Sequence, residues 1–129
     1  MILVLTTLLH LLATIPPLNS THPFRYAYAS VVVATTFLSA IWHFKGQPEG
    51  LLLYLQYSFT AIWFFYDMGM IGTLPANNKA KVITASLFIL CLHEVCSAEQ
   101  NYAVYHSLWH IASAIKCIYV SLNIFTAAP

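Results

Sequence analysis

Charged residues are scarce in this sequence. It has five basic and four acidic residues among 129, whereas 60% of its residues are hydrophobic. The mean hydropathy is +0.73, and a water-soluble domain of this length needs more polar surface than these residues supply. The sequence therefore predicts an integral membrane protein that is surrounded by lipid.

Two patterns that mark other classes of protein are also missing. The net charge is only +1 and there is no run of basic residues, which argues against nucleic acid as a partner. The three cysteines include no Cys-x-x-Cys pair and stand in apolar segments, so we interpret them as small buried apolar residues. They are Cys91, Cys96 and Cys117.

Five apolar segments have about the length that spans a bilayer. The connections between the later segments are short, so consecutive spans should be antiparallel neighbours. We therefore expect an all-α fold in which residues 1–129 form a single transmembrane domain, a helical bundle of about five spans. The predicted spans are residues 1–18, 26–44, 51–74, 81–97 and 102–125.

The first segment has two interpretations. It is short because Pro16-Pro17 ends it early, and a signal peptide has a similar length. It lacks a basic stretch before the apolar residues and an obvious cleavage site of small residues, which favours a first span.

Histidines are concentrated at one predicted level of the bundle. His106 and His110 are one helical turn apart and therefore share a face of the last span. Alternation of the spans brings His43, at the end of the second span, to the same depth, together with His93 and Glu94. A titratable side chain inside a membrane segment is costly to bury, and its presence there suggests a functional site.

Three imidazoles from two helices suit Zn²⁺, which leaves a fourth position for water in catalytic sites. We therefore predict that His43, His106 and His110 are zinc ligands. Ser39 lies one turn before His43 and could orient the water, and Glu94 could serve as general base.

Two other interpretations of the histidines remain open. They could simply form hydrogen bonds between helices. They could also bind haem between His43 and either His106 or His110, although a second histidine one turn away fits chelation of a metal ion better.

Four motifs occur in a distinctive order. They are SAIWH at residues 39–43, QPE at residues 47–49, Asp67 late in the next apolar run, and HSLWH at residues 106–110. In this order they resemble the CREST superfamily, which includes alkaline ceramidases and progestin and adipoQ receptors. The resemblance is closest to its myomaker-like branch.

The resemblance implies a shortened version of a bundle that has seven spans in the family. It implies that His43, His106 and His110 bind zinc, and that Ser39 and Asp67 lie near the water at the metal. It also implies a metal-dependent hydrolase that cleaves an amide or ester of a lipid. Loss of one adjacent pair of spans would leave the histidines on the same side of the bilayer.

Asp67 has a second explanation from its depth. It lies about 24 Å into the third span, and Lys116 lies about 21 Å into the last span from the same side, at 1.5 Å per residue. An unpaired charge in the bilayer core costs roughly 2.5–3.5 kcal/mol. An ion pair between Asp67 and Lys116 is therefore predicted as the alternative to a role in the site.

Two other functions fit the same composition. Five short spans bury little surface, and the short loops do little to shape a substrate pocket. The chain could therefore be a small accessory subunit that binds other membrane protein subunits and has little or no catalysis. A haem-binding anchor for electron transfer is the third possibility.

Overall fold

The computed structural model describes residues 1–98 and 101–126, and only the backbone of residues 96–98. Over this part of the chain the fold is all-helical, as predicted, and has no β-strand. Short 3₁₀ segments cover Leu9–Thr14 and Ile71–Thr73. The α-helices are α1 (Ile2–Leu8), α2 (Ile15–Leu18), α3 (Arg25–Phe44), α4 (Leu51–Met70), α5 (Ala76–Ala98) and α6 (Tyr102–Phe125).

Two of these helices, α3 and α6, are long and apolar enough to cross a membrane. Large apolar side chains are also exposed on the outer surface of the long helices, as lipid surroundings would allow. Examples are Phe37, Phe65, Leu87, Phe88, Leu108 and Ile115. These features support a membrane location, and the count of five spans stays a prediction.

The helix boundaries follow local chemistry. α3 and α6 begin and end within one residue of the predicted spans. α5 begins at Ala76, five residues earlier than predicted, because Pro75 starts a helix instead of opening a longer loop. Proline suits this position since it has no N–H to satisfy, and the residue before it, Leu74, is extended with ψ 155°.

The segment Ile2–Leu18, which we call the N-terminal run, is a helix with a 3₁₀ middle. Pro17 has no N–H, so it cannot bond the carbonyl of Ala13 four residues earlier. Ser121 on α6 donates its hydroxyl to that carbonyl at 2.6 Å. A backbone group that the proline leaves unpaired is thus satisfied by a neighbouring helix, as a lipid environment requires.

The helices form an open arrangement. The N-terminal run packs between α3 and α6, α4 packs on α3, and α5 packs on α6. Within the described residues α4 and α5 scarcely touch, although they follow one another along the chain. The bundle therefore has a gap between α4 and α5. Its apolar core includes Ala13, Tyr28, Val32, Trp63, Val82, Cys117, Val120 and Phe125.

The predicted ion pair is confirmed. Lys116 Nζ lies 2.5 Å from Asp67 Oδ2; the Asp67 side chain is buried, and that of Lys116 is only 10% exposed. Tyr28 donates its hydroxyl to Asp67 Oδ1 at 3.0 Å, and Trp63 Nε1 donates to the Tyr28 oxygen at 3.4 Å. Both carboxylate oxygens of Asp67 thus have partners from other helices, which joins α3, α4 and α6 in one network.

The cysteines differ from one another. Cys117 is buried, as predicted, and Cys91 is exposed on α5, so the prediction of burial is wrong there. The side chain of Cys96 lies outside the described residues. Both thiols stand in apolar segments of the sequence, so composition alone did not separate the exposed cysteine from the buried one.

Replacement of one partner in the ion pair should be strongly destabilising. We expect Lys116→Ala to lower the free energy of unfolding by about 3–5 kcal/mol, because it leaves the buried carboxylate of Asp67 without its counter-charge. Thermal unfolding in detergent would measure the loss. The double variant Asp67→Leu/Lys116→Met should regain most of it, and the exposed Lys81→Ala control should stay within about 0.5 kcal/mol of wild type. A single variant as stable as wild type would contradict this role.

Candidate metal centre

Three buried histidines meet at one end of the bundle. His43 comes from the last turn of α3, and His106 and His110 come from the first half of α6. One ring nitrogen of each lies within 4.8 Å of the others. The Nε2 atoms of His43 and His110 are 3.0 Å apart. The structure therefore confirms that these side chains come together.

This cluster has the donor set of a metal site. Two nitrogens that bind one ion at 2.0–2.1 Å with tetrahedral angles stand roughly 3.3 Å apart, close to the separation seen here. The Nδ1 atoms of His106 and His110 are buried and have no hydrogen-bond partner among the described residues. Neutral nitrogen donors thus remain available, and the three histidines could bind a metal ion.

The haem alternative fits this geometry poorly. Two axial imidazole nitrogens stand about 4 Å apart on opposite faces of the iron, and the porphyrin plane lies between them. The 3.0 Å separation of the His43 and His110 nitrogens leaves no space for that plane. His43 packs edge-to-face on the rings of both His110 and His106, at 5.1 and 5.2 Å between centroids, and these are likewise direct contacts.

A helix-ending motif places His43. Gly46, with φ 76°, ends α3 in the left-handed conformation. Its N–H donates to the carbonyl of His43 at 3.1 Å, and the Gln47 N–H donates to that of Trp42 at 2.9 Å. This pair of bonds is the Schellman pattern. Trp42 then donates its Nε1–H to the Pro48 carbonyl at 3.0 Å, which folds the loop back over the end of the helix.

Aromatic rings hold His106. Tyr102 stacks on the imidazole at 4.7 Å between centroids, and Trp109 stacks on it at 5.1 Å. Trp109 also donates its Nε1–H to the Ile89 carbonyl at 3.0 Å, which connects α6 to α5. The His106 ring is therefore restrained by its own helix and by the neighbour of that helix.

The N-terminal run contributes two residues that our sequence reasoning missed. Thr7 Oγ1 lies 3.1 Å from His110 Nε2. His10 donates its Nδ1–H to the Thr7 carbonyl at 2.9 Å, and its Nε2 pairs with Ser113 Oγ at 3.1 Å. A histidine inside an apolar segment was the available signal, but nothing in the sequence pointed to its partners.

The other predicted site residues have different positions. Ser39 is buried and lines the cavity described below. The His93 ring lies 5.9 Å from that of His106, at the predicted level. Glu94 does not reach the cluster: its side chain is 86% exposed, and its carboxylate lies 3.5 Å from His93 Nδ1.

A cavity of about 100 Å³ extends from His110 to Asp67. Three of its polar wall atoms belong to side chains that are at least nine-tenths buried, and none has a hydrogen-bond partner in the described part of the chain. They are Thr36 Oγ1, Gln56 Oε1 and Ser86 Oγ. Gln56 is on α4 and Ser86 is on α5, so these two unpaired groups flank the gap between those helices.

Comparison of the chain with protein-family models, with curated proteins and with solved structures finds no match. The chemistry of the site therefore has to be inferred from the geometry of its own side chains.

The cluster should bind one divalent metal ion per chain. We expect elemental analysis of the detergent-purified protein to find about one metal ion per chain. The His106→Ala/His110→Ala variant should lose this ion, because the single remaining imidazole binds a metal ion weakly. His22→Ala is the matched control, since His22 packs against Phe125 away from the cluster. Equal metal contents in all three proteins would contradict a site at these histidines.

Proposed function

We propose that this protein is a zinc-dependent hydrolase within a membrane, which cleaves an amide or ester of a lipid. In this proposal the chain is a shortened member of the CREST superfamily with about five spans. The proposal is supported above all by one observation: the cavity lined by His110, one of the three histidines, has unpaired hydroxyl and amide groups and lies at the gap between α4 and α5.

Zinc is the proposed metal because of the donors. Three imidazole nitrogens are a frequent ligand set for catalytic Zn²⁺, and they leave one coordination position open. When bound there, zinc supplies a Lewis acid that polarises a carbonyl and activates water at neutral pH. His43, His106 and His110 would hold it, and all three are buried.

A lipid amide or ester matches the cavity in two respects. Its carbonyl, with any neighbouring hydroxyl or N–H, can pair with the unpartnered atoms of Thr36, Gln56 and Ser86. Its acyl chain can extend through the gap between α4 and α5, where the partly buried Phe64 and the exposed Leu90 belong to the apolar lining. Such a ligand can enter from the bilayer without crossing the loops.

The other site residues have distinct proposed roles. Ser39 lines the cavity that begins at His110, and we assign it to orienting the water or the carbonyl. Asp67 forms the far wall, and its pairing with Lys116 makes it a fixed charge instead of the proton acceptor. Glu94 would act as general base only through the His93 ring, which lies between it and the cluster.

Turnover should depend on both the histidines and the cavity. With a panel of fluorogenic lipid amides and esters in mixed micelles, we expect zinc-loaded wild type to hydrolyse at least one substrate and His106→Ala/His110→Ala to lose activity. Ser86→Leu should keep its zinc and raise KM roughly tenfold, because the larger side chain occupies the cavity. Ile83→Ala, on the exposed surface of α5, is the matched control. Full zinc occupancy without turnover of any substrate would contradict the hydrolase and leave the metal site intact.

A role as an accessory subunit is the second candidate. It is favoured by the packing of α5, which relies mainly on α6 and exposes Leu87, Phe88 and Leu90. A partner helix could cover this surface. Mild solubilisation followed by native mass measurement would then find the chain in a larger complex, and turnover by the purified chain alone would contradict an exclusively accessory role.

A further inference from the structure

Gln47 has an unusual backbone conformation beside the histidine cluster. Its φ is +61°, and among the described residues it is the one non-glycine residue with positive φ. A side chain with a Cβ is disfavoured in this region, where glycine is readily accepted. Gly46 already provides the left-handed residue that ends α3, so the end of the helix does not by itself require a second one.

The conformation brings the Gln47 side chain back to His43. Its amide Nε2 lies 3.2 Å from His43 Nδ1. A half-turn of the amide presents Oε1 to the same ring nitrogen, so this side chain can either donate to Nδ1 or accept from it. Local strain of this kind persists where the surrounding structure holds it, and it is concentrated at functional sites.

The two nitrogens of His43 face different partners. Nε2 faces His110 inside the cluster, whereas Nδ1 faces Gln47. A histidine that binds a metal almost always donates its other ring N–H to an acceptor, which selects the tautomer and orients the ring.

We propose that Gln47 is the positioning residue of the metal centre. It accepts the Nδ1–H of His43 through its amide oxygen and so directs the Nε2 lone pair toward the ion. This inference rests on the proposed metal site and deepens it. It also explains why a glutamine occupies a backbone conformation that suits glycine: the side chain is needed for orientation.

Three variants separate orientation of the imidazole from stability of the turn. Gln47→Gly removes the amide and relieves the backbone, so we expect the dissociation constant for zinc to rise about 10–100-fold while the melting temperature of the metal-free protein does not fall. Gln47→Glu restores an acceptor and should bind zinc within a few-fold of wild type or more tightly. Gln47→Ala should weaken zinc binding as Gly does and also lower the melting temperature.

Zinc affinity is measured by competition with a chelator, with the exposed neighbour Lys45→Ala as the matched control. Unchanged affinity in Gln47→Gly, or equal weakening in Gln47→Gly and Gln47→Glu, would overturn the role of Gln47 while the metal site stands. If wild type binds zinc no better than His106→Ala/His110→Ala, both this inference and the proposed function fail.

Discussion

The contact between the N-terminal run and α6 determines where the rest of the site lies. Three residues of α6, His110, Ser113 and Ser121, each form a hydrogen bond with this run. These three bonds restrict both the height and the rotation of the run against α6. The imidazole of His110 is oriented by the same contact, so the histidine cluster and its cavity depend on the way these two segments meet.

Neutral polar side chains and charged side chains lie in different parts of the interior of the bundle. Imidazoles, hydroxyls and one amide line the cavity that begins at His110, and these are cheaper to bury than ions. The buried charges lie at the other end, where Asp67 and Lys116 neutralise each other. A set of unprotonated imidazole nitrogens therefore persists inside the protein, and a metal cation binds histidine only in this unprotonated form.

Depth along a helix could be predicted from this sequence, whereas rotation about the helix axis could not. Counting residues from the ends of apolar segments was sufficient to bring the three histidines to one level and to pair Asp67 with Lys116. Glu94 has the correct depth but projects outward, because α5 has no clear apolar face to determine its rotation. His10 was missed because prolines and a 3₁₀ segment alter the rotation of the N-terminal run, which its sequence spacing does not reveal.

The bond from Ser121 to the Ala13 carbonyl has a consequence for biogenesis, since its partners are 108 residues apart along the chain. A ribosome makes the proline-containing segment before α6. Until α6 has been made, another donor, such as water, must pair with the Ala13 carbonyl. The N-terminal run therefore reaches its final position only after α6 has been made, so folding does not proceed helix by helix along the chain.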